Sequence, residues 1–101
     1  MFGKVAQAVG VLITNHNDVR ERVWVASRFL FQVQPGGLPA SCREDVEWIH
    51  HILTRYPADS LYKNRLDATY YRTRKVTASK IAERVWKLYH VMESELRTRG
   101  Q

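Results

Sequence analysis

The stretch from Leu61 to Lys75 concentrates the residue types that bind phosphate. Lys63, Arg65, Arg72, Arg74 and Lys75 stand there against Asp67 alone, and Tyr62, Tyr70 and Tyr71 are interleaved with them. Lysine and arginine neutralise phosphates, and aromatic rings stack on unpaired bases. On a helical projection, Tyr62, Leu66 and Tyr70 form an apolar stripe. Arg65 and Arg72 fall on one flank of that stripe, and Lys63 and Arg74 on the other. Lys63, Arg65, Arg72, Arg74, Lys75 and Lys80 are the expected phosphate contacts, and Tyr71 is the expected exposed stacking ring. Arg84 and Lys87 extend the same surface along the following helix. A solvated helix face would carry the same residue types, so composition alone does not separate the two readings. The segment Arg74 to Lys80 has room to open a recognition helix after a short turn, a spacing that many helix pairs share.

Histidine offers a second chemistry. Glu47 precedes His50 and His51 by three and four residues, the Glu-x-x-His spacing of di-iron carboxylate bundles. Such a site needs a second copy on a facing helix, and the last helix holds none, so neither metal nor cofactor is expected. Arg43, six residues and then His50 is similar to the Arg-x(4–6)-His signature of HEPN-type helical ribonucleases. The resemblance implies that Arg43 stabilises phosphate charge and His50 moves protons, across a dimer. Cys42 sits beside Arg43 in a first helical turn, where a helix dipole lowers a thiol pKa, yet it projects toward an apolar stripe and reads as a buried thiol. No glycine-rich phosphate loop, serine-nucleophile elbow or carboxylate pair is present.

A different class of function is suggested by Trp24, Arg28 and Phe31. Large aromatics with an arginine between them have the composition of an interface hot spot, and self-association as a homodimer is the corresponding expectation.

The whole chain bounds these readings. Its 101 residues make one domain, residues 1–101, long enough to bury a core without disulfides. The single cysteine cannot pair within the chain, so nothing points to an oxidising compartment, and a cytoplasmic location is expected. The apolar run from Val5 to Ile13 is too short to span a membrane and is a poor signal peptide. The net charge of +6 lies wholly in residues 51–101, because residues 1–50 hold five basic and five acidic side chains. Such asymmetry points to an anionic partner, either nucleic acid or an acidic protein.

The positioning elements read as helices throughout. Phe2, Val5, Val9, Leu12 and Ile13 share one face. Asp18, with Glu21 three residues on, opens a second helix striped by Val19, Val23, Ala26, Leu30 and Val33. Gln34-Pro35-Gly36-Gly37-Leu38-Pro39 is a loop. Ser41-Cys42-Arg43-Glu44 reads as a capping box opening a third helix, which runs through Tyr56 until Pro57 ends it. Asp59 or Ser60 then caps a fourth segment from Leu61 to Arg74. A fifth helix runs from Thr77 to Arg97, with Ala78, Ile81, Ala82, Val85, Leu88, Tyr89, Met92 and Leu96 on its apolar side. The expected fold is all-α, a small antiparallel bundle of four to five helices. The expected function is a non-catalytic binding module that contacts nucleic acid through the basic C-terminal half. An adaptor docking an acidic protein is the alternative, and a HEPN-like ribonuclease the third.

Overall fold

In the computed structural model, residues 2–15, 18–58 and 64–99 are described, the side chains of Tyr71 and Arg99 excepted. They form five α-helices: α1 (Phe2–Thr14), α2 (Val19–Leu30), α3 (Ala40–Leu53), α4 (Arg65–Arg72) and α5 (Lys75–Arg99). A single 3₁₀ turn, Pro35–Gly37, interrupts the α2–α3 connection. The architecture is the expected small all-α bundle. None of the described helices is long and apolar enough to cross a membrane.

The bundle is built on α5. Its buried residues Ala78, Ile81, Val85, Leu88 and Met92 alternate spacings of three and four, so one seam of the helix faces inward along its length. α1, α2 and α3 all pack against it. They contribute Val5, Ala8 and Val9 from α1, Val23, Ala26 and Leu30 from α2, and Cys42, Val46, Ile49 and Leu53 from α3. α4 packs against the side of α3 and adds the fully buried Ala68 and Thr69.

The ends of α3 and α4 and the start of α5 differ from the sequence expectation. α3 does not open at a Ser41 capping box. Pro39 is its N-cap, with φ of −56° and ψ of 152°, and its carbonyl accepts from the amides of Cys42 and Arg43. Ser41 therefore lies inside the first turn, past the position from which a hydroxyl caps. At the other end, α3 stops at Leu53 rather than at Tyr56. The Thr54 amide donates to the His51 carbonyl and its hydroxyl to the His50 carbonyl, while the Tyr56 amide donates to Thr69 Oγ1 of α4. A tertiary acceptor thus draws Tyr56 away from the helical ladder before Pro57 is reached. α4 is shorter than expected, because Asn64 caps it. Asn64 Oδ1 accepts from the Asp67 amide at 2.8 Å, and its side-chain NH₂ donates back to the Asp67 carboxylate at 3.0 Å. Thr73, extended at φ of −84° and ψ of 133°, separates α4 from α5. α5 begins two residues before Thr77. The caps expected at Asp59 or Ser60, and the segment 61–63, lie outside the described residues.

The cap expected at Asp18 is present. Its Oδ1 accepts from the amides of Arg20 and Glu21. The Glu21 amide, first among the causes, and the Arg20 amide stabilise the charged carboxylate and hold its pKa below the usual 3.8, with lesser help from the Lys75 and Arg20 charges. A lowered folded-state pKa gives stability that is complete above the unfolded value and is lost as pH falls through the folded one. Asp18→Ala therefore lowers the thermal midpoint at pH 7, and the difference from the parent closes as the solution is acidified below that lowered pKa. Circular dichroism melts across the acid range check both parts.

Candidate nucleic-acid interface

The basic residues fall into three groups once the helices are assembled. The first group is turned onto backbone. A helix leaves its last carbonyls without intrahelical donors, and buried helix ends need partners for them. Arg22 Nη1 donates to the Leu12 carbonyl near the end of α1 at 3.0 Å, and Arg20 Nη2 to the Tyr70 carbonyl near the end of α4 at 2.9 Å. Arg65 Nε donates to the Thr54 carbonyl just past α3 at 2.9 Å. His50 Nε2 lies 2.7 Å from the Leu30 carbonyl at the end of α2. A carbonyl only accepts, so His50 carries its hydrogen on Nε2 there.

The second group is an ion-pair cluster that sequence reasoning missed. Asp45 is only 2% exposed, and it bonds Arg84 at 3.0 Å with Lys87 at 3.5 Å. The Arg84 guanidinium also lies over the Trp48 ring, 4.6 Å from its centroid. Arg84 and Lys87, read from sequence as an extension of the phosphate surface, are thus half neutralised by α3. A shallow hollow of about 290 Å³ beside them is lined by Trp48, Lys80, Glu83, Arg84 and Lys87. Asp45 was legible in principle. It stands between Cys42 and Ile49 on the buried side of α3, where an acid requires a cation partner.

The third group points outward. Arg65, Arg72, Arg74, Lys75 and Lys80 all present exposed side chains, on α4, on the α4–α5 corner and on the first turns of α5. Arg65 belongs to both the first and third groups, since its Nε is bound and the residue is still exposed. Arg72 extends over the Tyr56 ring at 5.4 Å, and Arg55, which sequence reasoning passed over, approaches the same ring at 5.0 Å. Lys63 and the Tyr71 side chain lie outside the described residues.

The residues read as a protein interface are divided among different neighbours. Trp24 Nε1 donates to the Leu66 carbonyl at 3.0 Å, and its ring meets Tyr70 edge-on at 5.2 Å, so α4 covers it. Phe31 lies against His50 at 5.3 Å, whereas Arg28 is exposed over its own neighbour Phe29. The large apolar side chains most open to solvent are instead Ile13, Val76, Trp86 and Leu96.

Arg43 and His50 do not converge. Arg43 Nε donates to the Leu38 carbonyl, and His50 is held on Leu30 beside Val46, Ile49 and Leu88. Seven residues of helix separate them by roughly 10 Å along the axis. No group of three His, Cys, Asp or Glu side chains able to hold a metal occurs among the described residues. Cys42 is fully buried, and burial, the largest cause, raises its thiol pKa above 9.0.

Two outcomes follow. Arg84→Ala leaves the buried Asp45 carboxylate with the longer Lys87 contact alone and destabilises the fold by about 2 kcal/mol, more than Asp45→Asn, which releases two cations able to hydrate. Urea titrations of both variants check the order. Cys42 stays inert to a thiol-specific chromogenic disulfide in the native protein and reacts fully once the chain is unfolded, which a timed absorbance assay reads. Against this geometry, no family model, no curated protein and no solved structure matches the chain.

Proposed function

We propose that this protein is a non-catalytic helical module that binds nucleic acid through the outward basic face of α4 and the start of α5. One observation carries the reading. Arg74, Lys75 and Lys80 are exposed together on the α4–α5 corner and the first turns of α5, while the cations of α5's middle turns, Arg84 and Lys87, are tied to Asp45. Cationic side chains that stay in solvent on adjoining elements are the ones placed to meet a polyanion. Among the first-half arginines, Arg20 and Arg22 do not compete for this role, since they are bound to helix-end carbonyls. Phosphate neutralisation releases condensed counterions, so affinity falls with salt in proportion to the phosphates engaged.

A second reading, a module that docks another protein, draws on a different observation. Ile13 and Trp86 are 65% and 48% exposed, and they flank a shallow groove between α1 and α5 that Leu12 and Ala82 also line. None of the cations of the proposed basic face lines that groove, so the two readings are independently testable.

The salt dependence of binding tests the first. Anisotropy of a short labelled single-stranded oligonucleotide gives log K against log salt. Arg74→Ala, Lys75→Ala and Lys80→Ala combined reduce the magnitude of that slope by about 2, at roughly 0.7 for each phosphate of a single strand that is no longer neutralised. Trp86→Ala leaves the slope unchanged. Absence of binding at low salt, or a slope unmoved by the triple substitution, rejects the reading.

A further inference from the structure

We infer that the groove between α1 and α5 is where two copies of this chain pair about a two-fold axis, each setting its exposed Ile13 and Trp86 against the other's groove. The inference rests on the protein-docking reading of that groove and goes beyond it by naming the occupant.

The face begins with the sequence of α1. Its 13 residues include a single charged side chain, Lys4. Phe2, Ala6 and Ile13 follow one edge of that helix, and Ala82, Trp86 and Tyr89 follow one edge of α5, at helical spacings. Aromatic rings join the two edges. Phe2 stacks on Tyr89 at 5.3 Å, and Tyr89 on Trp86 at 6.0 Å. Ile13 and Trp86, among the described large apolar side chains most open to solvent, both stand on this face. Together they border the groove, about 250 Å³, whose walls include Val9, Leu12 and Ala82.

The charges of the groove select its occupant. Arg22 and Glu83 both line it. Arg22 is held in place by its Nη1 bond to the Leu12 carbonyl, and the described ion pairs use neither residue. An acidic partner meets Glu83 as a like charge, and a basic partner meets Arg22 as one. A second copy brings one of each. About a two-fold axis, the contact from Arg22 to the partner's Glu83 is made twice. α1 also lies in the half of the chain without net charge, so pairing here avoids the repulsion that a chain of charge +6 meets through its basic face. Tryptophan and tyrosine with few charges match the composition of an interface centre. A face as long as α1 and two helices wide covers on the order of 500 Å² per copy, the size of a weak, concentration-dependent contact.

Sedimentation equilibrium of the full chain, freed of nucleic acid, reads the association across a concentration series. The parent is expected to pass from monomer to dimer as concentration rises. Trp86→Ala and Ile13→Ser, at exposed positions, are each expected to raise the dimer dissociation constant by about tenfold or more, because a two-fold contact loses the side chain twice. Arg22→Glu and Glu83→Arg are each expected to stay monomeric alone and to form a mixed dimer when combined, since both contacts then join opposite charges. Circular dichroism melts establish that each variant is folded. If Arg22→Glu does not fold, the other three variants carry the test. A parent that stays monomeric throughout overturns the pairing and leaves the groove to a different protein. A dimer undiminished by Trp86→Ala and Ile13→Ser overturns both the pairing and the protein-docking reading of the groove. Folded charge variants that do not dimerise when mixed overturn the pairing. So does a monomeric parent that co-sediments with phosphatidylcholine vesicles and loses this with Trp86→Ala, which assigns the face to a lipid surface.

Discussion

The structure depends on how a bundle of short helices satisfies its helix ends. Every α-helix leaves its final carbonyls without donors, and four of the five helices here end among their neighbours rather than in open solvent. Each of these four has a carbonyl in its last turn, or just beyond it, that accepts from a side chain of another helix. Arg22 serves α1, His50 serves α2, Arg65 serves α3 and Arg20 serves α4. The donors are chemically suited to the role. Arginine and histidine carry N–H groups on planar heads, and a cation is favoured at the negative end of a helix dipole. These bonds cross between elements, so they fix the relative placement of helices as well as their ends. α4, at eight residues, is too short to persist alone. It is held by its Asn64 cap, by the bonds to Arg20 and Trp24, and by Arg65 reaching back to α3.

This constraint sorts the cations by availability. Arg20 and Arg22 serve the architecture, and Arg84 and Lys87 serve a buried carboxylate. Arg65, Arg72, Arg74, Lys75 and Lys80, on α4, the α4–α5 corner and the first turns of α5, are exposed instead. The net charge of +6 thus overstates the extent of the positive surface and understates how local it is. The same sorting bears on His50. A histidine whose Nε2–H is committed to a backbone carbonyl, and whose ring lies against Phe31, has a structural place whatever else its ring does.

Buried polar groups add a second layer of definition. Asp45 draws α3 to α5 through Arg84, while Thr69 holds the 54–56 turn through the Tyr56 amide. Neither contributes much apolar area. Both specify which faces of the packed helices meet, since a half-satisfied buried group is costly and a displaced helix would leave one. The apolar seam of α5 supplies the main driving force, and these polar contacts select one arrangement of the helices around it.

Much of the fold was legible from residue types and spacing. Apolar recurrence on α5, the Asp18 cap and the proline-glycine loop are local features, and local features follow from neighbours a few residues apart. The burial of Cys42 was legible for the same reason, as a position on a stripe. The helix ends that were misplaced, at Pro39, Thr54 and Asn64, depended on competition between a local ladder and another acceptor or cap. For Tyr56 that acceptor was Thr69, thirteen residues on. The basic stretch was visible as composition, but its division into clamp, ion pair and outward surface was not. A sequence by itself determines that an arginine is charged and which side of its helix it occupies. Only the tertiary structure decides whether a carbonyl, a carboxylate or solvent lies opposite. That partner comes from a distant part of the chain, and burial makes an unpaired alternative too costly to keep.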